Sequence, residues 1–156
     1  MNRFNALRGI IKQPSVEETT VKYADDSVGY FRNGVRYKFE RPDGYQEWSI
    51  DGKLHRVNGP AVIYKNYIDY GRVRREWWYE GQRHRIGGPA LIDGDYKEWW
   101  VHGEMHRDDG PAITDGRKNR AWCLNGKRIT KKEFEEKTRK PVVLKNRYQL
   151  LKEQNA

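Results

Sequence analysis

The sequence predicts a mainly β protein, an elongated antiparallel meander of stacked β-hairpin repeats with short N- and C-terminal helices. Three observations predict it: an internal repeat of about 22 residues, a tight-turn dipeptide at one fixed place in every copy, and a low aliphatic content offset by many aromatics. The segments 1–29 are expected to form an N-terminal cap with a short amphipathic helix, 30–129 the hairpin-repeat sheet, and 130–156 a basic C-terminal helix and tail.

The repeat is read directly from the residues. Glu47-Trp48 followed by Asp51-Gly52, His55-Arg56 and Gly59-Pro60-Ala61 recurs as Glu76-Trp77, Glu80-Gly81, His84-Arg85 and Gly88-Pro89-Ala90. It recurs again as Glu98-Trp99, His102-Gly103, His106-Arg107 and Gly110-Pro111-Ala112. The turn glycines Gly52, Gly81, Gly103 and Gly126 lie 29, 22 and 23 residues apart, which places an insertion around residues 65–72. A degenerate copy leads the array with Tyr30, Asn33-Gly34 and Tyr37, and a truncated one closes it with Ala121-Trp122, Asn125-Gly126 and Ile129.

Asn33-Gly34, Asp51-Gly52 and Asn125-Gly126 suit a two-residue type I′ hairpin, in which both central residues take positive φ. Taking each dipeptide as the turn sets Trp48 opposite His55, Trp77 opposite His84 and Trp99 opposite His106. It also sets Glu47, Glu76 and Glu98 opposite Arg56, Arg85 and Arg107, the expected cross-strand ion pairs. In the closing copy Trp122 faces Ile129 and both charged partners are absent together. Proline in Gly-Pro-Ala opens the next short strand, where its missing N–H is tolerated, and Asp93-Gly94 and Asp115-Gly116 turn the chain back.

Alternation separates two faces. Trp48, Trp77, Trp99 and Trp122 share one with the three histidines, and this is the expected packed face. Opposite them the pairs Ser49/Leu54, Trp78/Arg83, Trp100/Met105 and Cys123/Arg128 differ from copy to copy, as a recognition surface would, or as residues that only shield the sheet would. At the ends, Phe4, Leu7 and Ile10 or Ile11 fall at helical spacing, while Thr130 to Glu133 has capping-box form and opens a helix through about residue 139 anchored by Phe134.

Composition bounds the function. The 156 residues carry 31 Lys and Arg against 22 Asp and Glu, a net charge of +9, and Leu, Ile, Val and Phe fill only 30 positions. Such a composition approaches that of disordered chains. Six Trp and ten Tyr supply the missing buriable surface, so a thin core is expected and a thick two-layer enzyme core is not. The charge is uneven: net 0 over 1–29, +3 over 30–126 and +6 over 127–156. One cysteine, Cys123, permits no internal disulfide, and no apolar run suggests a signal peptide or membrane span, so a cytoplasmic location is expected.

These residues resemble the MORN-like repeats, short Gly- and aromatic-rich hairpins, in the His-Arg and Gly-Pro-Ala variant found in proteins of bacteriophages and large DNA viruses. The resemblance covers about residues 30–138. It implies a non-catalytic interaction module and a viral accessory protein that binds and inhibits or redirects a host enzyme or defence factor in the host cytoplasm.

No enzyme chemistry is expected. His55, His84 and His106 recur once per copy at one register, which packing explains more simply than catalysis or a metal, and no cofactor is expected. Asp25-Asp26 and Asp108-Asp109 read as loop acids. The expected partner is another protein with an acidic surface, met by Trp78 and Trp100 as aromatic anchors with Arg83, Met105 and Arg128 beside them. The competing expectation is nucleic acid, met by Arg72, Arg74 and Arg75 and by the tail cations Lys131, Lys132, Arg139 and Lys140. Open sheet edges also allow a homo-oligomer.

Overall fold

The computed structural model describes residues 15–66 and 72–139. The chain divides into two compact units, Met1–Gln82 and Arg83–Ala156. Within the first, β1 (Glu18–Lys22), β2 (Val28–Arg32), β3 (Val35–Glu40), β4 (Gln46–Ile50), β6 (Val62–Asn66) and β7 (Arg72–Glu76) form one antiparallel meander in that order, with β5 (Lys53–Leu54) paired to β4. After β7 come β8 (Trp78–Tyr79) and, at the division, β9 (Gln82–Arg83). The second unit orders β10 (Leu91–Asp93), β11 (Tyr96–Glu98), β14 (Ile113–Thr114), β15 (Arg120–Leu124) and β16 (Lys127–Ile129) in the same way. Its β12 (Trp100–Val101) and β13 (Glu104–Met105) form a separate two-stranded ribbon.

The expected turns form as read. Asn33, Asp51, Glu80, His102 and Asn125 have φ between 48° and 50°, and the glycine after each has φ between 73° and 80°. That is the type I′ pair, which matches the right-handed twist of the flanking strands. The register follows: Ser49 faces Leu54, Trp100 faces Met105, and Trp122 faces Ile129.

In the first and third full copies the strand forks at its tryptophan. Gln46 and Glu47 pair with Ile63 and Val62, Trp48 N–H donates to the Ala61 carbonyl at 2.8 Å, and from Ser49 onward the same strand pairs with β5. The third copy repeats this, with Trp99 N–H donating to the Ala112 carbonyl at 2.8 Å. Ala61 and Ala112 of Gly-Pro-Ala lie at this fork. Ala61, Ala90 and Ala112 are fully buried, and a larger side chain there would force the strands apart.

One feature of the N-terminal reading changes. The sheet starts earlier than residue 30, because Glu18–Lys22 pairs along its length with Val28–Arg32. The expected helix over residues 2–12 lies outside the described residues. At the other end the helix forms as expected over Lys131–Thr138. Glu133 N–H donates to the Thr130 hydroxyl, the Thr130 N–H donates to the Glu133 carboxylate, and Phe134 is buried against the Trp122 ring with centroids 4.6 Å apart.

Candidate functional site

The His-Arg step is a junction between consecutive copies. His55 Nδ1 accepts the backbone N–H of Glu80 at 3.3 Å, His84 Nδ1 that of His102 at 3.1 Å, and His106 Nδ1 that of Asn125 at 3.1 Å. The N–H of the turn glycine follows in each case: Gly81 donates to Leu54, Gly103 to Arg83 and Gly126 to Met105, at 2.9 to 3.0 Å. A third bond runs back from the N–H of Arg56, Arg85 and Arg107 to the carbonyls of Trp78, Trp100 and Cys123. The central N–H groups of a type I′ turn have no ladder partner of their own, so each copy supplies acceptors for the turn of the next. This explains the histidine pattern. Imidazole stands at this position in all three full copies, while the degenerate leading copy has Tyr37 and the closing copy, with no successor, has Ile129.

The guanidinium groups do something other than pair with glutamate. Arg56 lies over the Trp48 ring at 3.7 Å and Arg107 over the Trp99 ring at 3.9 Å. Arg56, Arg85 and Arg107 each donate from Nη1 to the carbonyl of the proline four residues on, at 3.1 to 3.2 Å. Burial pushes the Arg85 pKa down. At Gly88 and Gly110 the guanidinium covers the glycine, so that a Cβ would lie 3.2 or 2.9 Å from the arginine Cζ, whereas at Gly59 the distance is an ordinary 3.5 Å and the φ of 155° favours glycine. The motif His-Arg-x-x-Gly-Pro is therefore one closed corner.

The expected Glu47–Arg56 and Glu98–Arg107 ion pairs are absent, because the strand forks before the arginine can stay opposite the glutamate. Glu47 accepts instead from Arg36 and from the Tyr45 hydroxyl at 2.8 Å, and burial, first, with this bond pushes the Tyr45 pKa up to about 12. Glu98, 8% exposed, accepts from the Tyr96 hydroxyl at 2.6 Å and the Trp100 indole at 2.7 Å, with Arg83 at 3.5 Å. Glu76, 7% exposed, accepts from Arg74 at 2.7 Å and the Trp78 indole at 3.1 Å.

These contacts tie down part of the expected outward face. Trp78 and Trp100 are half-buried, with their indole N–H groups tied to buried carboxylates. Arg83 lies 5.6 Å from the Trp100 ring, and Met105 is opposite Trp100. Arg83, Trp100 and Met105 are thus brought together around Glu98, and Arg128 is exposed opposite the buried Cys123. On the face expected to be packed, Ile50 and Tyr79 are open to solvent at 51% and 43%. Burial raises the Cys123 pKa and keeps it a thiol.

The cations of the nucleic-acid reading are scattered in their roles. Arg74 is bound to Glu76 and Lys131 to Glu135 at 3.3 Å, while Arg72, Arg75, Lys132 and Arg139 are exposed; Lys140 lies outside the described residues. Asp25, Asp26, Asp108 and Asp109 all sit in turns or bends, and Asp109 is engaged by Arg107 at 2.6 Å. Among the described residues no group of three His, Cys, Asp or Glu is placed to hold a metal ion, and no buried side-chain polar atom lacks a hydrogen-bond partner.

Sequence reasoning missed the residues left most open. Val57 and Ile86, the residues after His-Arg in the first two copies, are 76% and 74% exposed. The signal was available: an apolar residue follows His-Arg in both copies, inside a loop whose polar groups are already committed. Comparison with family models, with curated proteins and with solved structures returns no match.

Proposed function

We propose that the chain is a non-catalytic repeat module that binds another protein, and that each unit offers it an apolar corner residue, Val57 with Ile50 and Tyr79 in the first and Ile86 in the second. One observation carries the reading: large apolar side chains stand about three-quarters exposed at the same corner position of two successive copies, on a backbone pinned by arginine, proline and tryptophan. Rigid presentation of an apolar side chain lowers the ordering cost of binding. Exposed cations accompany them, Lys53 in the first hairpin and Arg72 and Arg75 on β7, and favour a partner with acidic groups around an apolar centre. The resemblance to repeats of bacteriophages and large DNA viruses supports a host enzyme or defence factor as that partner, in the host cytoplasm, inhibited or redirected by the bound module.

The test begins with affinity capture from the native cell and mass spectrometry to identify the partner. Val57→Glu with Ile86→Glu should then abolish capture while shifting the melting temperature by no more than about 4 °C, since exposed substitutions usually change stability by under about 0.5 kcal/mol each. Undiminished capture by this double variant would refute the assignment. Nucleic acid recovered instead of protein, with affinity falling steeply as salt rises, would replace it with the competing reading.

A further inference from the structure

The strand β1 has one neighbour among the described residues, β2, and none of these residues pairs with its other edge. The register fixes which groups face outward. Asn33 N–H donates to the Glu17 carbonyl and Tyr23 N–H to the Ser27 carbonyl, so the odd residues of this strand direct their backbone groups toward β2. In an antiparallel ladder these directions alternate, so Glu18, Thr20 and Lys22 present N–H and C=O groups to the open side. An edge of this kind is usually guarded by like charges, proline or a bulge. Here Glu-Thr-Thr-Val-Lys contains no proline, pairs with β2 without a register shift, and carries one charge of each sign at its two ends.

That pattern is self-complementary. We infer that β1 pairs antiparallel with β1 of a second copy of this chain about a two-fold axis at Thr20, with Glu18 opposite Lys22 of the second copy. In this register the outward groups meet as Glu18–Lys22, Thr20–Thr20 and Lys22–Glu18, each a pair that exchanges two backbone hydrogen bonds. The side chains agree with the backbone. Glu18 already holds Arg32 at 2.8 Å and Lys22 holds Asp26 at 2.7 Å, with all four side chains more than half exposed, so pairing produces the alternating row Arg32, Glu18, Lys22, Asp26 on each side of the axis. Thr19 comes opposite Val21, which is 43% exposed in one copy and becomes covered. A register shift of one residue would set outward backbone groups against inward ones, and a shift of two, with the axis at Thr19 or Val21, would keep the backbone matched but remove both charge pairs.

The junction is one strand wide, below the size of a standard stable interface, and each copy carries a net charge of +9, so the dimer is weak and concentration-dependent. This inference is independent of the corner-residue reading, because it uses neither Val57 nor Ile86.

Sedimentation equilibrium of the full chain, from micromolar to millimolar at constant salt, tests it. The wild type should pass from a mass of 18.6 kDa toward twice that value. Glu18→Lys alone and Lys22→Glu alone each place like charges opposite one another and should weaken dimerisation at least tenfold, while the double exchange Glu18→Lys/Lys22→Glu should restore it. Thr20→Pro removes an outward N–H and should give a monomer throughout. A wild type that stays monomeric at the highest concentration overturns the inference, as do single exchanges that dimerise like wild type or a double exchange that does not recover. Because the exchanged residues are exposed, the charge series remains decisive if Thr20→Pro fails to fold.

Discussion

Gly110→Ala offers a direct test of the closed corner. The substitution puts a methyl group 2.9 Å from Arg107 Cζ and 3.1 Å from Nε and Nη2, closer than carbon can approach, so the guanidinium must move. It is held at three places: over the Trp99 ring at 3.9 Å, on the Pro111 carbonyl at 3.2 Å and on Asp109 at 2.6 Å. Displacing it forfeits a cation–π contact of about 0.5–1 kcal/mol and a charged hydrogen bond of about 1.5–3 kcal/mol, while the exposed Asp109 pair adds little. The expected loss is about 2–4 kcal/mol, roughly 4–16 °C in melting temperature for a chain of this size. Arg107→Ala should cost a similar amount. The decisive quantity is the double-mutant cycle by urea denaturation: with Arg107 already alanine, Gly110→Ala should be neutral or stabilising by up to about 1 kcal/mol, because nothing then crowds the methyl group. Additive losses from the two changes would refute the corner as a single unit.

Trp100→Ala removes the indole donor from the buried Glu98 carboxylate and opens a void beside Met105, so it should destabilise by about 2–4 kcal/mol in the same denaturation assay. Thr130→Ala deletes the cap of the C-terminal helix and should cost about 1 kcal/mol, with faster amide exchange confined to Lys131–Thr138. The pH response follows from His84, whose pKa lies below its ordinary value of 6.5, first because of burial and then because of His102 at 4.3 Å. The unfolded chain binds that proton more readily than the folded one, so stability is full above about pH 6.5 and declines as pH falls through the folded pKa. Melting temperature measured from pH 7.5 to 5 should decrease toward acid, and His84→Gln should flatten the part of that slope due to this group.

Much of the fold was legible because it rests on local chemistry. Asn-Gly and Asp-Gly fixed the turns, the turns fixed the Trp122–Ile129 register, and Thr130 to Glu133 announced the helix. What failed concerned relations between copies. Alternation along a strand distinguishes two faces but does not show that Trp78 and Trp100, read as outward, tie their indole N–H groups to the buried Glu76 and Glu98. The Glu–Arg pairing assumed that a hairpin continues as a ladder, whereas the strand leaves it at Trp48 for Val62 and carries Arg56 into the corner. The fixed alanine after Gly-Pro carried the missing signal, since only a close approach of strands demands so small a side chain at Ala61, Ala90 and Ala112. Strand β1 went unseen because Glu-Thr-Thr-Val-Lys is exposed along its whole length and shows no apolar alternation.

The central claim is that each imidazole accepts the turn N–H of the following copy. Native-state hydrogen exchange of the Asn125 amide measures this most directly, because Asn125 is exposed and its N–H is held by His106 Nδ1. The account predicts strong protection in the wild type and a loss of at least tenfold in His106→Ala, with the Asn33 amide, held by the Glu17 carbonyl, unchanged. An Asn125 amide that exchanges as fast as an unstructured peptide in the wild type, or equally slowly with and without the imidazole, would contradict it.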